Sequence, residues 1–519
     1  MNLTDLAREH GDKPAVIMGG TGATMSFAAL ERRSNQVAHL FRARGLRAGD
    51  RIAVLMQNEL DLFPVIWAAQ RTGLYYAPVN WHLSAEEAAY IVADCGARLL
   101  ISSASVEPLA AAAAAAVPAL EGRLVAGAAA GTALAAGAES LDAATEGLPG
   151  TPVEDETEGW SMLYSSGTTG KPKGIVRPLT GQPFGTGAAL EMVMRMVFGF
   201  SPSSVYLCPG PLYHAAPLGW STGTTRNGGT VVVMERFDAA AALSLIERYR
   251  VTEGQFVPTM FVRMLRLPEA EREKYDLSSL RLAVHAAAPV AVEVKRAMID
   301  WLGPVVAEYY AGSEGNGICV IDSADWLAHP GSVGRPLGVE VHICGEDGAE
   351  LPAGEIGTVY FGGGSPFTYH NDPGKTASAF NAAGWSTLGD MGYVDDEGYL
   401  YLADRRTDLI VSGGVNIYPR EVEEALAPHP AVADVAVIGI PDEEMGQRVH
   451  AVVQPAVAGT GSPELAAELI DFCRTRIAHF KSPGSVSFED SLPRTPTGKM
   501  LRRVVADRYR DGAPAGSST

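Results

Sequence analysis

Cysteine is scarce and scattered: Cys95, Cys208, Cys319, Cys344 and Cys473 stand far apart, with no C-x-x-C pair. That spacing signals neither a disulfide framework nor a zinc cluster, and the protein is expected in a reducing compartment, the cytoplasm. Long apolar runs are missing too. The opening MNLTDLAREHGDKPAV is broken by charges before any stretch of signal-peptide length. The alanine-rich LAAAAAAAVPAL, Leu109 to Leu120, is too short to span a bilayer and contains Pro118. No transmembrane segment is expected. Basic residues are in deficit, 41 Lys+Arg against 60 Asp+Glu for a net charge of −19, which opposes binding to nucleic acid or anionic lipid. A polyanionic ligand therefore needs a local pocket of amides or lysines.

What is present is chain and apolar mass for several cores. The 519 residues, 47% of them hydrophobic, exceed what one core serves, so at least two domains are expected. Short β-rich runs (RIAVLMQ from Arg51, ARLLISS from Ala97, GTVVVMER from Gly229) alternate with helical stretches, the texture of an α/β fold with buried strands. From Gly354 to Tyr401 the texture changes to glycine-punctuated alternation, which reads as antiparallel hairpins. After DRRTDLIVSGGVNIYP, the helix REVEEALAPHP, the strands VADVAVIGIPD and VHAVVQPA, and the helix PELAAELIDFCRTRIA form a compact α+β set. The boundary is placed at 404–408: residues 1–404 as the large domain, 405–408 as a hinge, 409–510 as the small domain and 511–519 as a disordered tail.

The densest chemical signal is SSGTTGKPKG, Ser165 to Gly174, entered from the strand-like WSMLY. Backbone amides freed by Gly167 and Gly170, the hydroxyls of Ser165, Ser166, Thr168 and Thr169, and the charges of Lys171 and Lys173 make an anion cradle. It is not a Walker A loop, because Ser165 stands where the first glycine belongs and Pro172 replaces the magnesium-binding hydroxyl residue. As an ordered string, it resembles the signature of the adenylate-forming superfamily, which includes acyl-CoA synthetases, peptide-synthetase adenylation domains and luciferases.

Other elements resemble that family's in the family's order along nearly the whole chain. In EYYAGSEGNG the resemblance implies that Tyr310 lies against adenine, Ser313 donates to the nucleotide phosphate and Glu314 helps hold Mg2+. In STLGDMGYVDDEGYLYLADR it gives Asp390 and Arg405 to the ribose hydroxyls of ATP. In PRTPTGKMLRR it makes Lys499 the catalytic lysine, a mobile positive charge suited to a carboxylate striking phosphorus. Direct parts in the chemistry thus fall to Thr168, Glu314, His214 and Lys499. A carboxylate is already ionised at pH 7 and needs no general base, so His214, in GPLYHAAPLGW, is assigned to the acyl-pocket wall and thiol gate.

The resemblance further implies a multi-lobed α/β N-terminal domain, with helix-sandwiched sheets and a β-barrel-like lobe, and a small mobile α+β C-terminal domain. Rotation at Thr407, where the family more often has Asp or Lys, brings Gly413, Gly414 and Asn416 to the pantetheine arm of coenzyme A. The acyl pocket is drawn from His214, Val257, Thr259, His285, Ala286, Ala311 and Gly312. These residues offer no lysine or arginine for a second substrate charge, which favours an apolar acid. The expected reaction is activation of a fatty or aryl acid and transfer to coenzyme A. An amine or a carrier-protein thiol stays open as the acceptor, and a homodimer is allowed.

Overall fold

The computed structural model describes residues 2–128, 134–165, 172–187, 189–405, 408–412, 415–442, 445–495 and 500–509. The described residues form five sheets. The largest has nine strands, and its middle is parallel: Val306–Ala311, Leu282–His285, Glu253–Phe256, Val205–Cys208, Thr230–Val233 and Pro14–Met18 lie side by side in that order. A second, six-stranded sheet is parallel throughout, with Arg51–Leu55 between Leu99–Ser103 and Tyr75–Pro78. Such strands are covered on both faces, which is why they read as unbroken apolar runs.

Helices between the strands start where short polar side chains take up free amides. Ser84 and Glu87 form a reciprocal cap on Ala85–Asp94, and Asp238 caps Ala239–Tyr249. The alanine run becomes the helix Glu107–Ala115, with Pro108 in its first turn. The glycine-punctuated segment is an antiparallel sheet in the order Glu340–Cys344, Gly357–Gly362, Asp390–Val394 and Leu400–Arg405.

A smaller C-terminal unit has its own core. The long hairpin Val432–Asp442 with Gly446–Pro455, joined by Ser485–Phe488, is covered by the helices Pro419–Leu426 and Pro463–Arg474. It meets the large domain through Arg420, whose guanidinium donates to the Leu402 carbonyl at 2.9 Å, and Arg266, which donates to the Ala433 carbonyl at 3.1 Å. No helix among the described residues is long and apolar enough to cross a membrane.

Candidate active site

The glycine-rich loop connects two antiparallel strands, Leu163–Ser165 and Lys173–Val176, with Ser165 directly opposite Lys173. Ser166, Gly167, Thr168, Thr169, Gly170 and Lys171 lie outside the described residues. Lys173 pairs with Asp372 at 2.8 Å, which ties the loop's exit to the start of the helix Pro373–Ser378. The other edge of Lys173–Val176 pairs with a third strand, Thr368–Tyr369, with Ile175 opposite Tyr369.

Beside this hairpin the strand Val306–Ala311 ends in the turn that holds Ser313 and Glu314. Tyr310 donates its phenolic hydrogen to Asp390 Oδ2 at 2.6 Å, and Asp390 is paired in register with Arg405. Three residues assigned to the nucleoside are thereby gathered across two sheets. Glu314 is buried, and its Oε1 accepts from the Tyr369 hydroxyl at 2.8 Å. A Cβ added at Gly312 would stand 2.8 Å from Glu314 Oε2 and 2.7 Å from Leu388 Cδ1. The missing side chain therefore leaves open the space beside that second oxygen.

Two residues not singled out from the sequence complete this corner. Tyr369 is one. The other is Arg177, the first residue past the Lys173–Val176 strand, whose Nε donates to the Glu314 carbonyl at 3.0 Å and Nη2 to the Ser313 carbonyl at 3.4 Å. Its guanidinium also lies 5.5 Å from the Trp160 ring centroid. Burial lowers the Arg177 pKa, opposed by the Glu314 charge, yet a guanidinium stays protonated in any such setting. Gly315 has φ +62, a conformation that favours glycine, and a Cβ there would meet the Arg177 guanidinium, which would have to give way. The sequence signal was Arg177's place at the loop's exit. Tyr369 had none, since only strand pairing brings it near.

His214 precedes the helix Ala215–Arg226 at its N-cap position without a side-chain bond to the helix amides, and its buried Nε2 has no hydrogen-bond partner among the described residues. Burial, with a smaller contribution from His82, lowers its pKa to about 4, so the ring is neutral at pH 7. Tyr213 packs on it at 4.5 Å and meets His82 Nδ1 through its hydroxyl at 3.2 Å; His82 in turn stacks on Trp81 at 3.5 Å.

The other residues that the sequence reading drew into an acyl pocket divide between the two faces of the large sheet. Ala286 is buried in the cluster that also holds Leu212, Trp220 and Tyr309, on the face covered by Ala215–Arg226; Ala311 ends the neighbouring strand and Gly312 follows it. His285 turns to the opposite face, where it is fully buried 5.3 Å from Phe261 and 3.4 Å from Glu308 Oε2. Glu308 is held there by Lys295 at 2.5 Å. Val257 packs into that second cluster with Phe256 and Phe261, and Thr259 is half-buried.

In the C-terminal unit Asn416 is exposed in the strand Val415–Ile417, opposite Val411. Thr407, Gly413, Gly414 and Lys499 lie outside the described residues. An antiparallel bridge joins Arg494 to Met500.

The comparison with known proteins agrees along the chain. The family model of the AMP-binding enzyme matches residues 3–368, and that of the AMP-binding enzyme C-terminal domain matches 421–499. A feruloyl-CoA synthase from Amycolatopsis sp is 35% identical over 506 residues, 97% of each chain. A fatty acid–[acyl-carrier-protein] ligase from Streptomyces coeruleorubidus is 33% identical over 512 residues, 97% of this chain and 95% of its own. The solved structure of ATP-bound MatB from Rhodopseudomonas palustris matches with a TM-score of 0.83 at 29% identity, covering 98% of this chain and 99% of that one. With the family models matched over residues 3–368 and 421–499 and this similarity over nearly the whole of both chains, the protein belongs to the AMP-binding enzymes, the adenylate-forming superfamily.

Proposed function

We propose that the protein is an AMP-forming acid–thiol ligase: it activates a fatty or aryl acid with ATP to the acyl-adenylate and pyrophosphate, then passes the acyl group to coenzyme A and releases AMP. The observation that carries this is the Tyr310–Asp390 hydrogen bond of 2.6 Å and the Tyr369–Glu314 hydrogen bond of 2.8 Å, beside the hairpin whose connection is SSGTTGKPKG.

In the first step a carboxylate oxygen of the acid attacks the α-phosphorus, and the bond to the bridging oxygen of pyrophosphate breaks. Charge accumulates on the phosphoryl oxygens, so catalysis rests on placed positive charge and donors. Lys499 supplies the mobile charge, the loop amides and the hydroxyls of Thr168 and Thr169 hold the phosphates, and Ser313 adds a donor. Tyr310 offers a ring face to adenine, and Asp390 accepts the ribose hydroxyls with Arg405 beside it. Glu314 fits a magnesium ion: Oε1 is fixed by Tyr369, and a single carboxylate oxygen with substrate phosphates is an ordinary magnesium environment. That ion, when bound, polarises the phosphate oxygens.

In the second step the thiol sulfur attacks the acyl carbonyl, the carbon–oxygen bond to AMP breaks, and the thiol proton passes to solvent. The two steps need different groups at one carbonyl. Rotation of residues 409–510 about the hinge at 405–408, with Thr407 as pivot, exchanges Lys499 for Gly413, Gly414 and Asn416. The neutral His214 lines the acyl pocket without adding charge to it. A cytoplasmic location is supported by five free, buried cysteines.

The relatives named for feruloyl-CoA and fatty-acid ligation support an apolar acid. The carrier-protein ligase among them favours a second reading of the acceptor, a carrier thiol, with an amine as the further option. Pyrophosphate release measured over acids of graded length and ring content, with and without coenzyme A, tests the proposal. The expected products are AMP and an acyl-CoA. Acid-dependent pyrophosphate exchange without thioester, in the presence of coenzyme A, moves the acceptor to a carrier thiol or an amine.

A further inference from the structure

No residue of the helix Ala85–Asp94 has a part in the two chemical steps, yet this helix touches the phosphate-loop hairpin at both ends. Its apolar side, Ala88, Ala89, Ile91 and Val92, shares one buried cluster with Met162, and Tyr164 and Val176 of the two hairpin strands pack against that cluster. Tyr164, the residue before Ser165, donates its hydroxyl hydrogen to Asp94 Oδ2 at 2.7 Å, across 70 positions of sequence. At the exit, Tyr90 donates to the Pro172 carbonyl at 3.2 Å. Tyr90 and Asp94 are four residues apart, one above the other on a single helix face.

The second oxygen of Asp94 reaches the exit by another route. Oδ1 accepts from Asn371 Nδ2 at 3.3 Å, and the next residue, Asp372, holds Lys173 at 2.8 Å. The His370 amide donates to the Gly174 carbonyl at 2.7 Å, so the same segment also grips the exit strand through its backbone. One carboxylate thus links the entry strand to the segment that fixes the exit strand. Gly174 leaves room for this. It stands opposite Tyr164 in register, and a Cβ there would come 3.0 Å from Tyr164 Cζ and 2.6 Å from Met162 Cε, so the ring that reaches Asp94 would have to shift.

We propose that Asp94 is a positioning residue for the nucleotide phosphates: together with Tyr90 it makes the helix Ala85–Asp94 a bracket that sets the two ends of the phosphate loop. This rests on the phosphate-loop reading above. Backbone amides that must converge on an anion bind it better when the chain on either side is already fixed, because ordering it at the moment of binding costs affinity. A carboxylate suits the task, since hydrogen bonds to an ionised acceptor are stronger than neutral ones. The effect is selective. ATP carries two phosphates beyond the one that AMP and the acyl-adenylate share, so a misplaced loop weakens ATP and spares AMP.

The test is calorimetric titration of magnesium-ATP and of AMP into the wild type, Asp94→Ala, Asp94→Asn and Tyr164→Phe, with thermal unfolding recorded for each. Asp94→Ala and Tyr164→Phe are each expected to weaken ATP ~tenfold and to leave AMP within about twofold, on the scale of one hydrogen bond to a charged group. Asp94→Asn keeps an oxygen for the Tyr164 hydroxyl and is expected to lose no more than about threefold. The double variant Asp94→Ala, Tyr164→Phe should bind ATP no more weakly than Asp94→Ala alone, since the two changes remove a shared bond. Unchanged ATP affinity in a folded Asp94→Ala or Tyr164→Phe overturns the bracket, and so does an equal loss for ATP and AMP, the mark of general damage. Should Asp94→Ala fail to fold, Tyr164→Phe, which deletes a single oxygen, decides alone. A wild type that binds ATP no more tightly than AMP instead overturns the phosphate-loop reading, and the bracket with it.

Discussion

Tyr369 donates its phenolic hydrogen to Glu314 across 2.8 Å, although Tyr369 lies in a strand of the three-stranded sheet, Glu314 in a turn beyond the large sheet's strand Val306–Ala311, and the two are 55 positions apart. The bond joins the strand that flanks the phosphate loop to the turn that carries the candidate magnesium ligand, and it fixes one carboxylate oxygen while the other faces the space beside Gly312. Tyr369→Phe removes the donor but keeps the ring. A hydrogen bond to a charged group contributes about 1.5–3 kcal/mol, so adenylation at limiting magnesium is expected to fall roughly ten- to hundredfold. The magnesium dependence of pyrophosphate exchange should move to higher concentration, with the KM for the acid unchanged. An unaltered magnesium profile would show that the phenol serves packing alone.

Arg177 holds the same turn from behind through the carbonyls of Ser313 and Glu314. Arg177→Gln keeps a donor of shorter reach and cannot bridge both carbonyls. We expect a loss of about tenfold in kcat/KM for ATP, on the scale of 1.4 kcal/mol per decade, with thioester formation from supplied acyl-adenylate preserved. Equal loss in both half-reactions would place Arg177 in general stability rather than in nucleotide positioning.

Lys499→Ala is expected to abolish ATP–pyrophosphate exchange, a loss on the order of 3 kcal/mol of transition-state stabilisation, while largely sparing thioester formation from supplied acyl-adenylate. Parallel loss of both activities would remove Lys499 from the first step. Gly414→Leu is the converse: a side chain in the pantetheine path should block transfer to coenzyme A and leave pyrophosphate exchange intact.

Burial lowers the imidazoles of His214, His285 and His450 from the ordinary 6.5 to about 4. In the unfolded chain these rings take up protons near pH 6.5, and in the folded protein not until about 4. The stability they carry is therefore full above pH 6.5 and is lost as the pH falls towards 4. His285→Asn removes one such group, so the slope of unfolding free energy against pH between 6.5 and 4, measured in urea, should be shallower. An identical slope would contradict the neutral, buried assignment.

The sequence made the fold's texture and the phosphate corner legible for separate reasons. RIAVLMQ, ARLLISS and GTVVVMER became the parallel strands Arg51–Leu55, Leu99–Ser103 and Thr230–Val233, because burial on both faces leaves an unbroken apolar mark. Tyr310 and Asp390 were readable from the strings around them, and the structure adds the hydrogen bond between them. Tyr369 was not readable, because its place depends on the pairing of Ile175 with Tyr369, residues nearly two hundred positions apart, and no local pattern encodes that register. Arg177 had only its position at the loop's exit as a signal; its bonds to the Ser313 and Glu314 carbonyls appear in the structure alone. His285 shows the limit of a string taken whole: in HAAAP it stood beside Ala286 as one wall, but alternation along a strand sends the two side chains to opposite faces.

The central claim, acyl-adenylate formation, is tested most directly by exchange of labelled pyrophosphate into ATP in the presence of a fatty or aryl acid and the absence of coenzyme A. The account predicts exchange that requires the acid, with AMP and a thioester appearing once coenzyme A is added. Exchange independent of acid, or ADP and inorganic phosphate as products, would contradict it.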